Sequence, residues 1–218
     1  MRAGLLTAGF AALTLAAGCS SRSASSPAPA ALPDAAPSDA LVQQWYESGR
    51  YDEVVSRVTQ ADVADVGAEA LWLAAHSSLR LGRRDEAASL FMRLAATDPN
   101  PAWQIASQLA LAGLEGSAEA AAQARQAAGA FPGDPFVQYE LGLAAVRSGD
   151  FAGAAQAFDR TIAADPTFAY AYYYAGLAYD RLQRADLMAG RFDTFLRLAP
   201  QAPERPEVDS ILSTVRGR

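Results

Sequence analysis

The chain has 218 residues, with 24 acidic residues against 18 basic ones, a net charge of −6, one cysteine and one histidine. The acidic balance argues against a nucleic-acid footprint, and a lone cysteine excludes an intrachain disulfide framework, so the fold must be held by its core. One histidine and one cysteine also leave no multi-histidine or Cys/His metal site to assemble. All the basic residues are arginine.

In chain order, the first element is an export signal. Arg2 precedes an apolar run from Leu5 to Ala17, which has the layout of a charged n-region and an apolar h-region. Its 13 residues are too few to cross a bilayer as a helix. Small residues at Ala17 and Gly18 allow a peptidase close approach. The segment Leu15-Ala16-Ala17-Gly18-Cys19 resembles the lipobox of bacterial lipoproteins. That resemblance implies removal of residues 1–18, lipidation of Cys19 and acylation of the new N-terminus, giving a membrane anchor of several acyl chains. Ser20 stands where aspartate would resemble an inner-membrane retention signal. The implied destination is therefore the outer membrane, facing the periplasm. The alternative is an ordinary secretory signal with an incidental cysteine, which would leave a reactive lone thiol.

Residues 19–39 read as the anchor and a linker of serine, proline and alanine, with little to bury. Such a segment reaches at most roughly 60 Å as polyproline II and about 25 Å as a coil.

Residues 40–202 repeat themselves. Gly49, Gly82, Gly116 and Gly149 are spaced by 33, 34 and 33 residues. Gly142 and Gly176, Phe158 and Phe192, and Pro166 and Pro200 are each 34 apart. Each unit reads as two amphipathic helices. A small residue (Ala75, Gly142, Gly176) marks the crossing on the first helix. An alanine followed by a phenylalanine (Ala87 with Phe91, Ala154 with Phe158) marks the second. A glycine ends the first helix, and a residue-Pro step ends the second. This period with these residue types resembles the tetratricopeptide repeat. The resemblance implies an all-α solenoid wound as a right-handed superhelix, of about five units with the first and third degenerate. The first has Val54 and Val58 at the alanine and phenylalanine positions, the third has Arg125 at the ring position, and the last has Gln183 at the turn glycine. Residues 203–218 read as a closing helix, from about Pro206 to Val215, and a tail.

Asp52-Glu53 and Asp85-Glu86 sit at the starts of second helices, where they favour the helix dipole. With no convergent catalytic set, the expectation is a protein that is not an enzyme and carries no metal or cofactor. A stripe on the first helices is the candidate binding surface. Steps of four keep side chains on one helical face and give Trp72, His76 and Arg80, then Tyr139, Leu143 and Arg147, then Tyr173, Leu177 and Arg181. Phe136 and Tyr170 lie one turn earlier. In the repeat family these helices line the concave face. Aromatic and arginine side chains there suit anchoring a partner segment, unless the rings pack between repeats and the arginines are merely solvated. Asn100 is the only asparagine and lysine is absent, so the lysine-and-asparagine clamp that some relatives use for C-terminal carboxylates is missing. The expectation is a lipid-anchored scaffold for envelope proteins or their peptide segments, in pilus or secretion assembly, outer-membrane protein insertion or peptidoglycan machinery. The alternative is a module that binds glycans or small ligands in the aromatic groove.

Overall fold

The structure, a computed structural model, describes residues 36–217. The signal, Cys19 and nearly all of the linker lie outside the described residues. Eleven α-helices follow one another without a strand among the described residues. They are α1 (Asp39–Glu47), α2 (Tyr51–Gln60), α3 (Ala68–Arg80), α4 (Arg84–Thr97), α5 (Pro101–Glu115), α6 (Ala118–Ala128), α7 (Pro135–Ser148), α8 (Phe151–Ala164), α9 (Ala169–Arg181), α10 (Ala185–Leu198) and α11 (Arg205–Arg216). None is long and apolar enough to cross a membrane.

The turns inside the helix pairs follow from local chemistry. Gly49, Gly82, Gly116 and Gly149 adopt φ between 72° and 77°, a left-handed conformation that costs glycine nothing. In the fifth pair Gln183 takes this place with φ 59°, the only positive φ at a non-glycine among the described residues. Proline and acidic caps start helices both between pairs and within them. Asp134 accepts from the Val137 amide, with Pro135 in the first turn of α7. Asp150 accepts from the Gly153 amide at the start of α8.

Packing inside a pair depends on one close approach. At Gly142 on α7 an added Cβ would lie 2.5 Å from the Phe158 ring of α8, and at Gly176 on α9 it would lie 2.5 Å from the Phe192 ring of α10. The missing side chain is the space that the ring fills. Phe91, Phe158 and Phe192 are all fully buried. The third pair lacks a ring and packs more lightly: α6 buries only Ala124 and Ala128, while Arg125 is exposed. The core runs through the other four pairs. Ala102, Ala106, Leu109, Ala124, Ala128 and Val137 form a smaller cluster of their own. Helix α11 buries Val208 and Leu212 against the main core.

Phe158→Ala should lower stability by roughly 3–5 kcal/mol, the range for emptying a buried ring site. Gly142→Ala should lower it by about 1–3 kcal/mol through overpacking, although alanine is the better helix former. Urea denaturation reads both, as a lower midpoint with an unchanged slope.

Candidate functional site

The first helices of the pairs face inward, and α3, α7 and α9 supply the aromatic stripe. The structure brings together Trp72, His76, Phe136, Tyr139, Tyr170 and Tyr173, but as a packed interior. Trp72 meets the rings of Phe136 and Tyr139 at 5.3 Å and that of Phe168 at 5.8 Å. Tyr46 of α1 lies edge-on to Tyr170 of α9 at 5.0 Å. Trp72 and Tyr139 are 1 % exposed, Tyr170 2 %, His76 6 % and Tyr173 7 %. The expectation of an open groove lined by these rings is therefore corrected. The array is short, and the inner face of its first pairs meets the inner face of its last. The rings bury one another, an outcome worth about 25 cal/mol per Å² of apolar surface removed from water.

Polar ties cross this interior. Glu140 on α7, 1 % exposed, accepts at Oε1 from the Trp72 indole at 3.0 Å and lies 2.6 Å from His76 Nε2. Its other oxygen, Oε2, is buried without a hydrogen-bond partner. A second tie joins the two ends of the array. Arg80 of α3 pairs with Glu204, just ahead of α11, at 2.5 Å. Glu204 also accepts from the Tyr170 hydroxyl at 2.9 Å, and Tyr170 shares a 3.2 Å hydroxyl contact with Tyr51. The Arg80 guanidinium lies over the Tyr170 ring, 4.9 Å from its centre. Burial pushes the hydroxyls of Tyr46, Tyr139 and Tyr170 above the ordinary tyrosine range, so they stay protonated and available as donors.

Sequence spacing singled out neither carboxylate. A signal was present in both cases. Glu140 stands two periods of 34 after Trp72, and Glu204 one period after Tyr170. Each is an acid at a repeat position that holds a ring in two other units, Trp72 and Tyr174 for Glu140, Phe136 and Tyr170 for Glu204.

The arginines do not stack in a row. Arg80 turns to Glu204 and Tyr174. Arg147 reaches back to α5, where its guanidinium donates to the Leu109 carbonyl at 3.5 Å. Arg181 is exposed and lies over the Phe151 ring at 5.7 Å. The stripe position thus gives each arginine a different neighbour, and the register of Arg147 with Arg181 builds no common surface. Arg80 and Arg147 instead share the wall of a cavity of about 350 Å³. Arg84, from the start of α4, joins them there with His76, Glu140 and Tyr174.

On another side of the interior, Glu47, Glu69 and Asp165 surround a small aromatic recess formed by Trp72, Phe136 and Phe168. Burial raises the carboxyls of Glu47 and Glu69, and the neighbouring Asp165 raises both further. Among the described residues no group of three or more His, Cys, Asp or Glu could hold a metal ion.

Glu204→Ala should cost roughly 2–3 kcal/mol. That is below the 3–5 kcal/mol of a fully buried broken pair, because the Arg80 side chain is 24 % exposed. Hydrogen exchange should quicken at α11 and at the C-terminal end of α3 together, since Glu204 ties the two. For Glu69 the raised carboxyl sets the sign. A folded-state value above the unfolded one means the ionised form costs stability at neutral pH, a cost removed as pH falls through the carboxylate range. Glu69→Gln should therefore raise the thermal midpoint at pH 7, and the gain should vanish below about pH 4.

No protein-family model matches the chain, and no curated protein does. The chain is similar to solved structures. A crystal structure of MamA is 21 % identical over 72 % of this chain and 94 % of its own, with a TM-score of 0.43. A structure of the APC/C hetero-tetramer Cut9–Hcn1 is 20 % identical, with a TM-score of 0.53 over 80 % of this chain and 36 % of its own. At this identity the likeness to Cut9–Hcn1 is one of fold. Together with the consecutive helix pairs and the 34-residue register, it makes the chain an all-α solenoid of the tetratricopeptide type.

Proposed function

We propose that the chain is a lipid-anchored scaffold of the outer membrane that faces the periplasm and holds envelope proteins or their segments. The observation that supports this reading is the pairing of a helical-repeat array with the segment Leu15-Ala16-Ala17-Gly18-Cys19 ahead of a linker of serine, proline and alanine. Stacked helix pairs present an extended outer surface and inter-pair grooves. The linker gives such a surface a radius of action above the membrane of about 25 Å as a coil. Because the rings of the inner face are buried, partner contacts fall to the outer helices and the rims. The glycan-binding alternative needs open aromatic faces for a sugar to stack on, and the burial of Trp72, Tyr139 and Tyr170 removes its support.

Two measurements test the reading. A clickable fatty acid fed to cells should label the protein, and Cys19→Ser should abolish the label and release the chain from the membrane fraction. A photo-crosslinker at Met92, 55 % exposed on α4, should join the protein to a defined envelope protein that in turn captures it when tagged. Unacylated wild-type protein in the soluble fraction would refute the anchor. Purification without any stoichiometric partner would refute the scaffold.

A further inference from the structure

The cavity between α3, α4, α5 and α7 has two arginines that form no ion pair among the described residues. Two arginines at or beside it have ionic partners: Arg80 pairs with Glu204, and Arg83 with Asp52 and Glu86. Arg84 and Arg147 are different. Arg84 donates to the Leu114 carbonyl at 2.5 Å and Arg147 to the Leu109 carbonyl at 3.5 Å. Neither forms an ion pair within the described residues. Both guanidiniums meet neutral backbone acceptors on the C-terminal half of α5, which leaves further donors open on each, and Glu140 favours the Arg147 charge without pairing with it.

The seat of Arg147 is built for it. Gly113 lies inside α5, where glycine costs about 1 kcal/mol relative to alanine. A Cβ at Gly113 would lie 2.4 Å from Arg147 Cζ and from one terminal nitrogen. The glycine lets the guanidinium lie flat on the helix beside the point where Arg84 meets Leu114. The rest of the wall combines apolar Leu79, Ala110, Leu114 and Leu143 with His76, Arg80, Glu140 and Tyr174. Glu140 stands on the wall with one oxygen bound to Trp72 and His76 and the other unpartnered. Its buried carboxylate disfavours a second negative charge at depth, so an anion is held at the arginines. At about 350 Å³ the cavity is at the small end of the range for sites of small organic ligands, which are mainly apolar with a few convergent polar groups.

We propose that this cavity binds a small monocarboxylic acid with an apolar body, its carboxylate on Arg84 and Arg147 and its body against Leu79, Leu114 and Leu143. A planar guanidinium is the side chain best matched to a carboxylate, and two of them that form no ion pair provide for one carboxylate. The ligand is a free acid, and the site is independent of whether the outer surface holds envelope proteins.

Benzoate serves as the probe, titrated by calorimetry into the full chain purified in mild detergent. It should bind with a dissociation constant on the order of 1 mM or tighter, and the neutral isostere benzamide should not. Arg84→Gln and Arg147→Gln should each weaken benzoate about tenfold or more, as expected for lost charge-assisted hydrogen bonds. Arg181→Gln should leave affinity unchanged. Gly113→Ala should also weaken benzoate, although it removes no charge, because it displaces the Arg147 guanidinium. Circular dichroism should show helical content preserved in all four variants, and Gly113→Ala with Arg147→Gln suffice if Arg84→Gln does not fold. No heat from benzoate, or equal affinity in wild type and Arg147→Gln, would overturn the proposal. Sulfate binding as tightly as benzoate would overturn the apolar part of the site. Tighter binding of a blocked acetyl-Gly-Glu-Gly-amide peptide than of benzoate would overturn the assignment to a free acid and give the cavity to a partner's side chain.

Discussion

A repeat array this short has an inner face with nowhere to put its rings except against one another. Trp72, Phe136, Tyr139 and Phe168 converge from α3, α7 and the start of α9, and Tyr46 reaches Tyr170 across the two ends. The close fit of Gly142 to Phe158 and of Gly176 to Phe192 sets how tightly each pair closes. The pairs in turn set how near the inward rings come. Once the rings meet, water is excluded, and the polar groups buried with them need partners inside the protein.

That demand explains the distribution of polar groups. Glu140 gives the buried Trp72 indole an acceptor and lies against His76. Glu204 serves Arg80 and Tyr170 together. Both carboxylates occupy repeat positions where other units place rings, so ion and ring are exchanged at one register according to what faces them. Outside the aromatic packing lies the arginine-lined cavity, where Arg84 and Arg147 form no ion pair among the described residues.

The local parts of this arrangement were legible in the sequence because they depend on residues close together along the chain. The turn glycines at 49, 82, 116 and 149 are the residues with positive φ, and Gln183 takes the same backbone turn where the glycine is missing. The pairing of Gly142 with Phe158 and of Gly176 with Phe192 was readable as small-against-large at one period. The light third pair was visible in Arg125 at the ring position. Closure was not legible, because it depends on the summed curvature of the whole array, to which each pair contributes a small rotation that no spacing reports. For that reason the rings expected to line a groove are interior, and the arginines expected to form a row go to three different neighbours. Gly113 carried no visible meaning in the sequence, since its significance lies in Arg147, 34 residues away and in the following pair.

The contact between the ends of the array also changes how the chain must fold. An open solenoid touches only its neighbours along the chain, so it can nucleate at any unit and fray from either end. Here Tyr51 bonds to Tyr170 across 119 residues and Arg80 to Glu204 across 124. Such contacts raise the mean sequence separation of the native structure, and folding slows as that separation grows. The terminal units gain stability from each other and lose the independence of a simple repeat stack. Equilibrium unfolding becomes a single concerted transition in place of a progressive peeling from the ends.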